Sequence, residues 1–244
     1  MPRSSKARRA LYSLFSILMV AGAAGKLLAA GKESKQWTER FNVASCNWSS
    51  TGKNDYFILE PGYQQTFEGH EGKTALRLVI TVLTDTEKIA GVETRVVEER
   101  ESHGGVLVEI SRNYFAVCQR TNDVFYFGED VDMYKNGKLS DHEGSWRAGQ
   151  AGAKAGLFMP ATALLGARFY QEIAKGVALD RTEIASDSET LKTPAGDFHD
   201  CVKTEETTPL EPGIKEYKIY APGVGLVQDG ELFLTKYGLN SNGK

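Results

Sequence analysis

The 244 residues carry 29 basic and 32 acidic side chains, and five of the basic ones (Arg3, Lys6, Arg8, Arg9, Lys26) fall within the first thirty positions. Without residues 1–30 the chain keeps 24 basic residues against 32 acidic ones, a net charge of about −8, which argues against nucleic acid and anionic membrane as partners. The remaining length of about 214 residues suits one all-β domain, with nothing in the middle that reads as a linker.

The basic run leads into an apolar stretch from Leu11 to Ala24. At about 14 residues it is too short for a transmembrane helix and has the length of a signal-peptide hydrophobic region. Small residues precede two possible cleavage points, Ala24 and Ala30, and the second is preferred. Arg8-Arg9 is a poor match to a twin-arginine signal. The chain is therefore expected to be exported, to the periplasm or beyond the cell, and not to be an integral membrane protein. Residues 31–52 read as a lead-in, 53–238 as a single β domain and 239–244 as a flexible tail. Val43-Ala44-Ser45-Cys46 spells a lipoprotein box but lies too far from the apolar stretch to act as one.

Along the domain, Leu76, Leu78, Ile80 and Val82 alternate with Arg77 and Thr81 in the period of two expected of a half-buried strand. Val92 to Arg100, Val106 to Arg112, Val124 to Phe127 and Val224 to Leu234 are rich in β-branched and aromatic residues. Gly104-Gly105, Asn136-Gly137 and Asp229-Gly230 are dipeptides of two-residue hairpins, so consecutive strands are expected to pair as an antiparallel meander. Ala161 to Ala174 reads either as a helix or as a turn followed by a strand from Phe169 to Ile173. Gly166 interrupts it, which favours the strand. Cys46, Cys118 and Cys201 allow at most one internal disulfide, and their spacing does not suit zinc. A Cys118–Cys201 bridge and plain buried thiols both remain open.

Two groups of residues carry possible chemistry. A curved antiparallel sheet has one concave face, and Phe125, Phe127, Tyr134 and Trp146 could line it for a hydrophobic small molecule or lipid, although such aromatics also serve as core. The Asn136-Gly137 turn would set Tyr134 against Leu139, Met133 against Ser140, Asp132 against Asp141 and Asp130 against Glu143. Asp130, Asp132, Asp141 and Glu143 would then share one side of the ribbon, where four carboxylates call for calcium, nearby bases, raised pKa values or water. The same set is the basis of an alternative reading as a calcium-dependent or carboxylate-based enzyme of the glycoside hydrolase type. A one-residue slip in register would dissolve it. A third reading is a module that pairs through a sheet edge.

Several stretches carry a resemblance: Tyr56-Phe57-Ile58-Leu59-Glu60-Pro61-Gly62, Phe127-Gly128-Glu129-Asp130-Val131-Asp132, His142-Glu143-Gly144-Ser145-Trp146, Thr193-Pro194-Ala195-Gly196-Asp197-Phe198 with Cys201 nearby, and Tyr220-Ala221-Pro222-Gly223-Val224-Gly225-Leu226-Val227. On these the chain resembles a family of exported bacterial proteins of unknown function. The resemblance implies an all-β fold, an antiparallel meander curved into an open half-barrel with little helix. That shape is similar to the carriers that hold lipoprotein acyl chains in the periplasm. It also implies that Ala161 to Gly166 is a loop leading to the Phe169 strand. No catalytic residues come with it.

Overall fold

The computed structural model describes residues 36–240. The expected signal peptide, residues 1–30, lies outside the described residues. In chain order the strands are β1 (Trp48–Ser49), β2 (Gly52–Asn54), β3 (Phe57–Leu59), β4 (Tyr63–Glu71), β5 (Thr74–Ile89), β6 (Val92–His103), β7 (Val106–Cys118), β8 (Asp123–Lys135) and β9 (Lys138–Asp141). They continue with β10 (Trp146–Arg147), β11 (Lys154–Met159), β12 (Arg168–Tyr170), β13 (Glu172–Ile173), β14 (Arg181–Thr193), β15 (Gly196–Thr207), β16 (Glu216–Ala221), β17 (Gly225–Asp229) and β18 (Leu232–Leu239). Among the described residues the one helical turn is the short 3-10 segment Val43–Ser45.

The meander read from the sequence is present, and it curls almost into a closed barrel. The order around the sheet is β12-β14-β15-β16-β17-β18-β4-β5-β6-β7-β8-β11-β13. Its two ends, β12 and β13, are consecutive in the chain and meet at Gln171, so residues 168–173 form the seam. Thr38 hydrogen-bonds both sides of Phe169, donating to Arg168 O and accepting from Tyr170 N. Gly156 permits the closure: a Cβ there would stand 2.4 Å from Tyr170 O and 2.5 Å from Gln171 O. Ala161 to Ala174 is thus a loop and two short strands, the strand reading of this segment.

The hairpins follow local turn chemistry. Gly104-Gly105 and Asn136-Gly137 are the two loop residues of their hairpins, and Asn136 (φ 53°) and Gly137 (φ 73°) both adopt the positive φ that a type I′ turn requires. The last hairpin is offset by one from the expected position. Asp229 pairs with Leu232, so its loop is Gly230-Glu231.

Among the described residues three apolar clusters form the core, the smallest of them Phe169, Ile184 and Val202 beside the seam. The largest gathers Val82, Val97, Phe115, Val117, Val124, Tyr126, Met159 and Tyr220, with Trp48 of the lead-in and Phe57 of β3 packed against it. The second holds Phe67, Leu78, Phe198, Cys201, Val227 and Leu234. The cysteines correct the expected Cys118–Cys201 alternative: Cys46 is bonded to Cys118, and Cys201 is a buried thiol. The cause is β1, whose Trp48 pairs with Cys118 and brings the lead-in strand alongside β7. Phe57 and Ile58 on β3, just after the lead-in, line the cleft inside the barrel.

Candidate functional site

The ribbon expected to carry four carboxylates has slipped. Tyr134 faces Leu139 as read from the turn, but a bulge at Ser140 sets Met133 opposite Asp141 in place of Ser140. The Asp132–Asp141 and Asp130–Glu143 pairings are lost with it. Asp130 instead accepts from Tyr114 Oη at 2.7 Å and from Arg147 Nη2 at 2.5 Å. Asp132 takes Arg112 Nη1 at 3.0 Å and His142 Nδ1 at 2.9 Å. Asp141 is exposed and binds its own loop, accepting from Ser140 Oγ and from the Glu143 amide. Arginines therefore stand where a cation was considered. Among the described residues no three His, Cys, Asp or Glu side chains are grouped to hold a metal ion.

The aromatic set is divided by the sheet. Phe125 and Phe127 pack edge-on against Trp48, and Phe125 also meets Phe41, so the lead-in segment covers them. Tyr134 is half-buried near the hairpin tip. Trp146 alone of the four contacts Tyr126, which stacks on Phe115.

Phe115 belongs to the wall of a cleft inside the barrel. One part of the wall is apolar, with Phe57, Ile80, Val82, Val97, Phe115 and Phe158. The other is polar, with Gln65, Glu99, Lys218 and Asp229. The cavity in the cleft has a volume of about 60 Å³. Its walls are close together, which suits a slender group and not a whole lipid. Tyr63 and Gln65 are pinned at its rim, their side chains donating to Val224 O at 2.8 Å and Leu226 O at 2.7 Å.

The polar wall continues along the inward face as a dense set of acids. Lys218 Nζ lies 3.1 Å from Glu206 and 3.7 Å from Asp229. Burial opposes its charge, but those two carboxylates outweigh burial and hold its pKa well above the ordinary lysine value. In the neighbouring acids burial prevails. Burial, reinforced by neighbouring carboxylates and opposed by Lys218 at Glu99 and by a Tyr126 hydrogen bond at Glu129, raises Glu99 and Glu109 to about 7 and Glu129 to about 8. Glu216 reaches about 7 by burial, with Asp229 and Glu206 adding to it and Lys218 opposing. Glu172 is pushed well above its usual range by burial and by Asp180. Glu101 is relieved in part by His103 Nε2 at 2.5 Å.

Sequence reasoning missed these residues. Val97-Glu98-Glu99-Arg100-Glu101 places charge on both faces of β6, so alternation gives no hint of which face turns inward. A usable signal was the count of acids in strand positions, Glu99, Glu101, Glu109, Glu129 and Glu206, too many for one solvated edge. No family model, no curated protein and no solved structure matches this chain.

Proposed function

We propose that this is an exported binding protein that holds a small amphipathic molecule inside its barrel, the apolar part against Phe57, Phe115 and Phe158 and the polar end toward Glu99 and Asp229. The observation that carries this reading is the two-sided wall of the cleft. Half-buried Glu99 and Asp229 share this wall with the phenylalanines, and partial burial of a carboxylate beside apolar side chains costs desolvation free energy that a polar ligand end would offset. Export is supported by the leader-like first thirty residues and by the Cys46–Cys118 bridge, which persists in oxidising compartments. Among the described residues no helix is long and apolar enough to cross a membrane.

Methyl NMR with 1-octanol as the probe tests the reading. The expected result is saturable shifts confined to Ile80, Val82, Val97 and Leu226, weakened several-fold in Ile80→Phe, which narrows the cleft. Shifts that are absent, or spread over exterior methyls, would contradict it.

A further inference from the structure

Three neighbouring strands bring carboxylates without a cation to one patch of the inner wall. Glu99 on β6 pairs in register with Ser111 on β7. Glu109 stands two residues before Ser111, and Asn113, two residues after it, pairs with Glu129 on β8. All share a face, since side chains two apart on a strand and directly paired across strands point the same way. That face is the inner one, because Phe115 follows Asn113 at the same spacing and lines the cleft. The nearest cation acting on Glu99 is Lys218, already paired with Glu206 and Asp229. Around the patch stand Glu101 with His103, Glu172 with Asp180, and Tyr126, whose hydroxyl donates to Asn113 Oδ1 at 2.5 Å.

A second observation comes from the next strand. Trp146 on β10 is the register partner of Glu129, only 6% exposed, and its indole N–H has no acceptor. Such buried donors are seldom left unpaired in a folded protein. Protons alone would quieten the carboxylates but leave the indole unmatched. A metal ion draws three or more ligands to one point, and among the described residues no three acids are grouped closely enough for that, whereas an ammonium needs only one of them as its hydrogen-bonding partner. An organic ammonium with an oxygen beside its nitrogen meets both demands.

We propose that Glu99, which lines the polar end of the cleft, and Glu109, Glu129 and Trp146, which continue from it along the same inner face, form an amine subsite that takes a ligand ammonium on a carboxylate and a neighbouring ligand oxygen on the indole N–H. The inference rests on the barrel being a ligand carrier, and it names the ligand class as an amphipathic amine with an adjacent hydroxyl or ether oxygen. Binding of such a cation displaces the protons that the empty patch holds, so affinity rises with pH while the amine itself stays charged.

Calorimetric titration with N-octylethanolamine and with 1-octanol tests it. At about pH 8.5 the amine is expected to bind about tenfold or more tighter than the alcohol, the scale of hydrogen bonds to charged groups, and its advantage shrinks toward about pH 6 with proton release on binding. Glu129→Gln and, separately, Glu109→Gln should erase most of that preference while leaving octanol binding intact, which also shows that the variants are folded. Trp146→Phe should weaken the amine several-fold and spare octanol. Equal affinity of amine and alcohol would overturn the subsite and leave the carrier reading standing. Failure of both probes would overturn the carrier reading, and the subsite with it.

Discussion

At the scale of single residues, the chain places acids where a barrel ordinarily places apolar side chains. Glu99, Glu109 and Glu129 are held near neutrality by burial, so the folded protein binds protons that the unfolded chain releases near the ordinary glutamate value of 4.5. Their folded pKa values are raised. The stability linked to them is therefore complete below about pH 4.5 and is lost as pH climbs through about 7 to 8. Thermal melts of the unliganded protein should show this decline, and Glu129→Gln, which keeps the shape without the charge, should show a shallower one. A Glu129→Gln protein that loses stability with pH as steeply as the wild type would mean that Glu129 ionises freely. Lys218 explains why the acidic wall is tolerated at all, since it neutralises Glu206 and Asp229 where β15, β16 and β17 meet.

At the scale of elements, turns were legible and irregularities were not. Gly104-Gly105 and Asn136-Gly137 announce their hairpins because positive φ at two successive positions selects those residues. The bulge at Ser140 has no such signature, and that single extra residue separates Asp132 from Asp141. The final loop shifts to Gly230-Glu231 for a similar reason: register is set by the pairing of Phe233 with Gln228 and not by the dipeptide alone. The Cys46–Cys118 bond was hidden because Cys46 lies in an irregular lead-in whose docking on β7 is a tertiary fact. The seam depends on one element property, the bare backbone at Gly156. Gly156→Ala should destabilise the protein by about 1–3 kcal/mol, the cost of overpacking, because the new Cβ meets backbone oxygens that cannot rotate away. Denaturant unfolding measures it, and an unchanged midpoint would show that the strands at the seam separate readily.

At the scale of the whole molecule, the all-β class and the antiparallel meander were readable from alternation and hairpin spacing, and the half-barrel curvature was implied only by the resemblance, but the near-closure was in neither. Closure joins residues 168–173 to strands from both ends of the sheet order, a long-range event that no local pattern encodes. It also decides the site. An open half-barrel would leave Glu99 in water, whereas the nearly closed one holds it half-buried in a cleft that Phe57, Phe115 and Phe158 also line. The aromatic residues singled out in the sequence, Phe125 and Phe127, are instead covered by Trp48 from the lead-in.

The account turns on that enclosed cleft being occupied in the cell. Native mass spectrometry of protein isolated without denaturation from the compartment to which it is exported tests this most directly. The expected spectrum shows a small organic adduct on the wild type that is depleted in Ile80→Phe. The mass of the polypeptide alone in both proteins, or an adduct retained equally by both, would contradict a ligand held in the barrel.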